Sequence, residues 1–290
     1  MTRKNIFEIL ESKYNPTNEL FKIATLFGDK SIIHTFTMLL GKEVTNRYSI
    51  EEKVNDIFSS WKSRGTCISC EDMRNELGIN EIFKKFGKIP TDDIICCLEY
   101  YKNIYFLFVN RVKPVLQNYK YTNSFHMLNS NMDTLLDHLN YDQYCFKDQE
   151  KVILVPKNPA ATAVAEISSE DTAMAILKYH HASLKGQIEE KRDLLRRIAK
   201  EYEPILDNGV NGFNDYFKRA NDLLNNLDIR HNNKVGKKKN ELVTNLTNEE
   251  LEKWYDELYQ LLLFCVLIKD NKERKERIEE FLNTKRKDAK

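Results

Sequence analysis

Glycine and proline are scarce in this chain, at 9 and 6 among 290 residues. Few turn formers across so many residues imply long elements, and long elements are usually helices. A long uncharged apolar run is also missing. The most apolar stretch, Ile94 to Leu116, carries Glu99, Lys102, Asn103, Asn110, Arg111 and Lys113. Those groups are too expensive in lipid, so the stretch predicts a core helix and no membrane span. The first twenty residues, MTRKNIFEILESKYNPTNEL, have no apolar h-region or small-residue cleavage site. They predict no signal peptide and a cytoplasmic protein. Net charge is nearly absent as well: 45 Lys and Arg against 44 Asp and Glu leave a formal +1. No long-range field steers the whole molecule to nucleic acid, so a basic surface has to be local. Cysteines number six, with Cys67 and Cys70 as a C-x-x-C pair and Cys96 adjacent to Cys97 within IICCLEYY. Zinc sites more often show two matched, spaced pairs, so these cysteines read as small hydrophobes and no metal or other cofactor is expected.

Apolar residues make up 41% of the chain, enough for one large core or two ordinary ones. In the first half, Leu20, Ile23, Ala24 and Phe27 repeat at helical spacing and stop at Gly28. Ile32, Ile33, Phe36, Leu39 and Leu40 predict a second helix ending at Gly41. Val54, Ile57, Phe58 and Trp61 predict a third. SCEDMRNELGINEIFKKFG reads as two short helices around Gly78, but the second carries only Lys84 and Lys85 and lacks a basic face for DNA. A broad stripe from Leu98 to Val112 predicts the central helix, and Phe125 to Leu139 one more. QYCF and KVILVP flank the polar KDQE as a small β-hairpin, and PAATAVAEISSE reads as a linker. The organisation expected is a helical domain over 1–150, a hairpin and linker over 151–169, and a helical bundle over 170–290.

Four amphipathic helices are predicted in the C-terminal part. The first follows Glu170 and Asp171. The second is capped by Ser183, shows Ile188, Leu195, Ile198 and Tyr202, and is closed by Pro204. The third runs through Phe213, Tyr216, Phe217, Ala220, Leu223, Leu224 and Leu227. The fourth opens on a capping box, Thr247 to Glu250, and presents Leu251, Trp254, Tyr255, Leu258, Leu261, Leu262, Cys265 and Ile268. Leu223, Leu227, Trp254 and Leu258 are expected in the core. The tail after Ile268 mixes both charge signs, as a solvated helix or frayed end does.

One position breaks the pattern. The stripe of the third helix, continued past Leu227, reaches Arg230 and His231. A buried cation without partners is very costly, so an arginine there implies a polar, paired environment. Asn232 and Asn233 follow, then Lys234, Lys237, Lys238 and Lys239. The plainer reading ends the helix at Asp228 and leaves a basic loop.

The segment NDLLNNLDIRHNNKVGKKKN, at the end of the third helix of a four-helix unit, resembles the motif region of HEPN domains. YHHASLKGQIEEKRDLL and LTNEELEKWYDELYQLLL are similar to the C-terminal module of abortive-infection (AbiJ-like) phage-defence proteins. The likeness spans about residues 170 to 270 and implies a mainly α fold with a HEPN-like bundle. It implies metal-independent cleavage of RNA by two motifs meeting across a dimer. Arg230 then matches the motif arginine, and Asn232 or Asn233 the polar residue. No histidine follows His231, so the imidazole comes from His231 itself or from His180 or His181. Lys234, Lys237, Lys238 and Lys239 would contact phosphates, which position RNA without reading its sequence. Implied partners are RNA, a second copy of the chain and a protein encoded nearby, with no membrane. A non-catalytic scaffold that dimerises or binds a partner is the alternative.

Overall fold

The computed structural model describes residues 14–38, 41–84, 87–230 and 245–288, together with Phe7 and Val243. The protein is mainly helical, with two small antiparallel sheets. It divides into two units, Met1–Pro156 and Lys157–Lys290.

The first unit is built around α5 (Thr91–Leu107), following α1 (Pro16–Gly28), α2 (Ile50–Asn55), α3 (Cys70–Glu76) and α4 (Ile79–Ile82). Ile94, Leu98, Tyr101, Ile104 and Leu107 of α5 are buried, and a π-helical turn, Phe108–Val112, continues it. Gly78 takes a left-handed conformation between α3 and α4, which a side chain would disfavour. Cys70 and Cys97 are buried and Cys96 is partly so. Burial pushes the Cys70 thiol up to about 12 and Cys96 up to about 11, so both stay neutral.

The helix expected over Ile32–Leu40 is a strand. β1 (Ile32–Thr37) pairs antiparallel with β2 (Glu43–Tyr48) on one side and β3 (Tyr119–Tyr121) on the other. Four of its six residues are β-branched, which favours extended backbone where neighbouring strands are available. Gly41, read as a helix stop, is instead a positive-φ residue in the hairpin turn, and its N–H donates to Met38 O. Leu39 and Leu40 lie outside the described residues. The helix through Val54 also ends early, at Asn55, with Phe58 in a 3-10 turn and Trp61 beyond it.

α6 (Asn123–Leu139) leads into a hairpin of β4 (Tyr141–Phe146) and β5 (Lys151–Pro156), in register from Tyr141 with Pro156 to Phe146 with Lys151. Trp61 Nε1 and Ser63 Oγ donate to the backbone of the hairpin turn at Glu150 and Gln149. Asn103 holds Val152 at both backbone groups, donating to its carbonyl at 2.7 Å and accepting from its N–H at 2.8 Å. Glu99 accepts from Leu154 N–H. The hairpin therefore belongs to the first unit.

The second unit packs α7 (Pro159–Glu166), α8 (Glu170–Lys178), α9 (Ile188–Asn208), α10 (Asn214–Asn226) and α11 (Asn248–Asp288) around one core. The linker expected at 159–166 is α7: Pro159 starts it, Asn158 caps Ala161, and Ala161 and Val164 are buried. Ile176, Leu195, Ile198, Leu224, Leu227, Leu258 and Leu262 form the interior. Each contributes roughly 1.5–3 kcal/mol by burial. Trp254, expected inside, is 46% exposed. Pro204 does not close α9, which runs on to Asn208. Ser183 does not cap it, because a separate 3-10 turn, Ala182–Leu184, precedes its start. The Thr247 capping box is formed, with Glu250 accepting from Thr247 N–H at 2.9 Å.

Candidate functional site

α9 places polar groups at each of its ends. Its inward side is Leu195, Ile198, Ala199, Tyr202 and Leu206, with the buried Lys191 near the start. Arg196, Lys200, Glu203 and Asp207 follow one another at helical spacing on a different side.

Arg230 meets this second side. α10 ends with Leu227 N–H donating to Leu223 O, and Asp228 then adopts a positive φ of 62°. That turn sends the Ile229 and Arg230 N–H groups back to one carbonyl, Leu224 O. Ile229 is fully buried, and its own carbonyl accepts from Arg196 Nε at 3.0 Å. Asp228 is buried too, 3.8 Å from Arg192 Nη1. A buried carboxylate facing a guanidinium explains why a non-glycine residue holds this conformation.

The Arg230 side chain is 18% exposed, with Nε 3.5 Å from Glu203 and Nη2 3.7 Å from Asp207. Both carboxylates are more than half exposed, so solvent screens the pairs and each is weak. Arg230 Nη2 is buried without a hydrogen-bond partner among the described residues. An open cleft of about 310 Å³ is lined by Arg196, Ala199, Lys200, Glu203, Ile229 and Arg230. Its three cations are offset by Glu203 in the lining, by Asp207 beside Arg230 and by Asp193, 2.8 Å from Arg196 Nη1, so what the cleft offers an anion is guanidinium donors and not an excess of positive charge.

His180 and His181 lie elsewhere. α8 ends at Tyr179, whose ring stacks on Tyr259 at 4.1 Å. His180 packs edge-on against Tyr259, and Gln260 Nε2 lies 3.5 Å from its Nε2. Burial lowers the His180 pKa; Asp256 opposes that shift and Lys191 adds to it. His181 Nδ1 accepts from Ser183 N–H at 3.2 Å, so this imidazole caps the 3-10 turn. Lys191, with its side chain 6% exposed, donates to Asp256 at 2.8 Å and pairs with Glu252 at 2.9 Å. Burial works to raise the Glu252 pKa, but Lys191 and the Gly186 N–H outweigh it and hold the carboxyl below the usual range.

Lys191 and Glu203–Asp207 are separated by three to four turns of α9, about 18–24 Å at 1.5 Å per residue. Within one chain, then, His180 is anchored at one end of α9 and Arg230 at the other. His231, Asn232, Asn233, Lys234, Lys237, Lys238 and Lys239 lie outside the described residues. Sequence reading missed Arg196, Lys200, Glu203 and Asp207. Their spacing marks a polar helix side, but nothing in one dimension says that Arg230 packs against it.

A second cleft, about 420 Å³, lies in the first unit between α6 and β4 and carries Asp133, Asp137 and Asp142. Its carboxylates disfavour phosphate. Among the described residues no group of three or more His, Cys, Asp or Glu converges to hold a metal. Among them, too, no helix is long and apolar enough to cross a membrane. No family model, curated protein or solved structure matches the chain.

Proposed function

We propose that the second unit is a HEPN-like module and that the protein is a metal-independent endoribonuclease acting in the cytoplasm in phage defence. The observation that carries this reading is the cleft in which Arg230 joins Arg196 and Lys200, with His231, Asn232 and Asn233 the next three residues of the chain after Arg230.

The chemistry asks for one base and one cation. A histidine with an ordinary pKa of about 6.5 takes the ribose 2′-OH proton. The 2′-oxygen bonds to the adjacent phosphorus, the bond to the 5′-oxygen breaks, and that oxygen takes a proton from water as it leaves. The products are a 2′,3′-cyclic phosphate and a 5′-hydroxyl. Arginine stabilises the charge that builds on the phosphoryl oxygens. In this scheme Arg230 is the cation, His231 the base, and Asn232 or Asn233 orients the base or the ribose. Lys234, Lys237, Lys238 and Lys239 add backbone contacts to the RNA. His180 enters only from a second chain, given its distance from Arg230 in its own.

One observation favours the non-catalytic scaffold instead: Glu203 and Asp207 already lie beside Arg230. A single experiment separates the readings. The nuclease reading expects Arg230→Ala to lose RNA cleavage, measured in EDTA with cyclic-phosphate ends as product, by about 10²-fold or more, with the melting temperature unchanged. The scaffold reading expects no cleavage by the wild type and a lowered melting temperature in the variant. Wild-type protein that cleaves no RNA removes the enzyme.

A further inference from the structure

The three-stranded sheet of the first unit runs on past its core. Strand register sets which side chains share a face. At one end Ile32 lies between Tyr48 and Tyr121; it is fully buried, and both tyrosines pack on the core. One row further along the same face, His34 lies between Asn46 and Tyr119. Beyond it stands Phe36, which is 39% exposed, and from Thr35 onward every residue of β1 is exposed. The rings of this outer part form a series. Tyr119 and His34 stack at 4.3 Å with 9° between their planes, and Phe36 follows His34 at 5.4 Å. Lys53 of α2 closes the Tyr119 end, its Nζ 5.9 Å from the centre of that ring and 4.0 Å from the centre of Tyr48. Phe36 leaves the other end open.

We propose that this face binds a single-stranded nucleic acid, with one base stacked on Phe36 at the open end of the ring series. A base is flat and aromatic on its faces and polar round its rim, and the outer rows meet both needs. Phe36 offers a ring already held by its neighbours, so little freedom is lost when a base arrives. Asn46, one row away, offers a polar group to the rim. Its Nδ2 donates to Tyr48 Oη at 3.2 Å, and its Oδ1 has no hydrogen bond among the described residues. Charge selects the same occupant. The three strands and the turn between β1 and β2 carry Lys42, Arg47 and Lys120 against one carboxylate, Glu43. All three cations are exposed, and among the described residues none is in an ion pair. Lys53 is not counted with them, because Asp56 already lies 3.7 Å from it. Arg47 and Lys120 start from the opposite face, but they sit on β2 and β3, the two edge strands. Long side chains on an edge reach round it to a backbone passing alongside. Phosphate contacts then position the strand, and the stacked base adds affinity that tolerates any sequence. A duplex keeps its base faces in its own stack and has none to give Phe36.

This inference stands on the first unit and does not rest on the ribonuclease reading, so its test reads binding to strands that have no free 2′-OH to cleave through. Full-length protein is titrated into labelled strands of about twelve nucleotides, one of 2′-O-methyl RNA and one of DNA, and into the matching duplex, with fluorescence anisotropy as the readout. Single strands should bind, and the duplex at least about 10-fold more weakly. Phe36→Ala should raise the dissociation constant about 5- to 100-fold, the loss of one base stack. Its melting curve should not change, because the ring is largely outside the core, and Phe36→Tyr should keep the affinity. Lys42→Ala, Arg47→Ala and Lys120→Ala should each lower the slope of log affinity against log salt by about 0.7. Binding of either single strand supports the proposal, and the ratio between them names the one the site takes. Absence of binding to both overturns it. So does a duplex that binds as tightly as a single strand, or a Phe36→Ala variant that binds like the wild type. Binding lost in Arg230→Ala but kept in Phe36→Ala puts the strand on the second unit and refutes the assignment to this sheet. A Phe36→Ala variant whose only change is weaker self-association makes the face a protein contact and overturns the proposal too.

Discussion

Lys191 is the sharpest test of what holds the second unit together. Its ammonium sits between Asp256 and Glu252, with Nζ 5.0 Å from the centre of the Tyr179 ring. Lys191→Met keeps the length of the apolar stem and removes the charge, so packing changes little. What remains is two carboxylates without their cation. Breaking a fully buried pair costs about 3–5 kcal/mol. Here Asp256 is 40% exposed and Glu252 19%, and water can reach the first of them, which brings the expected loss down to about 2–3 kcal/mol. For a unit of this size that is a fall of roughly 6–15 °C in melting temperature. The chain has only two tryptophans, Trp61 and Trp254, one in each unit. Urea unfolding followed by fluorescence in a Trp61→Phe background therefore reports the second unit alone. Raising salt from 0.1 to 1 M should shrink the loss only slightly, because a buried pair is poorly screened. A loss under about 0.5 kcal/mol would refute the reasoning and class the cluster with surface ion pairs.

Two further outcomes follow from the same unit. Burial holds the folded-state pKa of His180 below its ordinary 6.5, so acidification through that value protonates the unfolded chain first and stability falls. Urea midpoints at pH 7.5 and 5.5 should show this, with a slope of at most about 1.4 kcal/mol per pH unit, and His180→Gln should abolish it. Thr247→Ala removes the hydroxyl that caps Glu250 N–H and should cost about 1 kcal/mol in the same unfolding assay.

Legibility in the sequence followed the length of each signal. The α11 capping box and the stripes of α5, α6 and α9 could be read because several residues carry each of them. The hairpin was legible from two short apolar segments, QYCF and KVILVP, flanking the polar KDQE. β1 was not: Ile32, Ile33 and Phe36 fit a helical stripe as well as a strand, and only pairing with β2 and β3 decides. α7 was hidden because its small residues, Ala160, Ala161 and Ala165, look like a linker until a core is offered to them. Trp254 was misplaced because α11 has two apolar sides, and a stripe count cannot say which one its own unit buries. At the candidate site, the sequence pointed to Arg230 as a break in a pattern. Its neighbours Arg196, Lys200, Glu203 and Asp207 depend on how α10 turns back at Asp228, a tertiary fact.

Asn103 has a consequence for how the first unit avoids aggregation. A two-stranded hairpin has two free edges, and each is a template for another strand. On β5 the outward-facing groups at Val152 are taken by both ends of one side-chain amide, and the Leu154 N–H by Glu99. The amide imitates a peptide group of a third strand, supplied by a helix that cannot propagate the ladder. That edge is capped from within at Val152 and at the Leu154 N–H, so the hydrophobic run Val152–Val155 offers fewer free backbone groups there with which to recruit another chain.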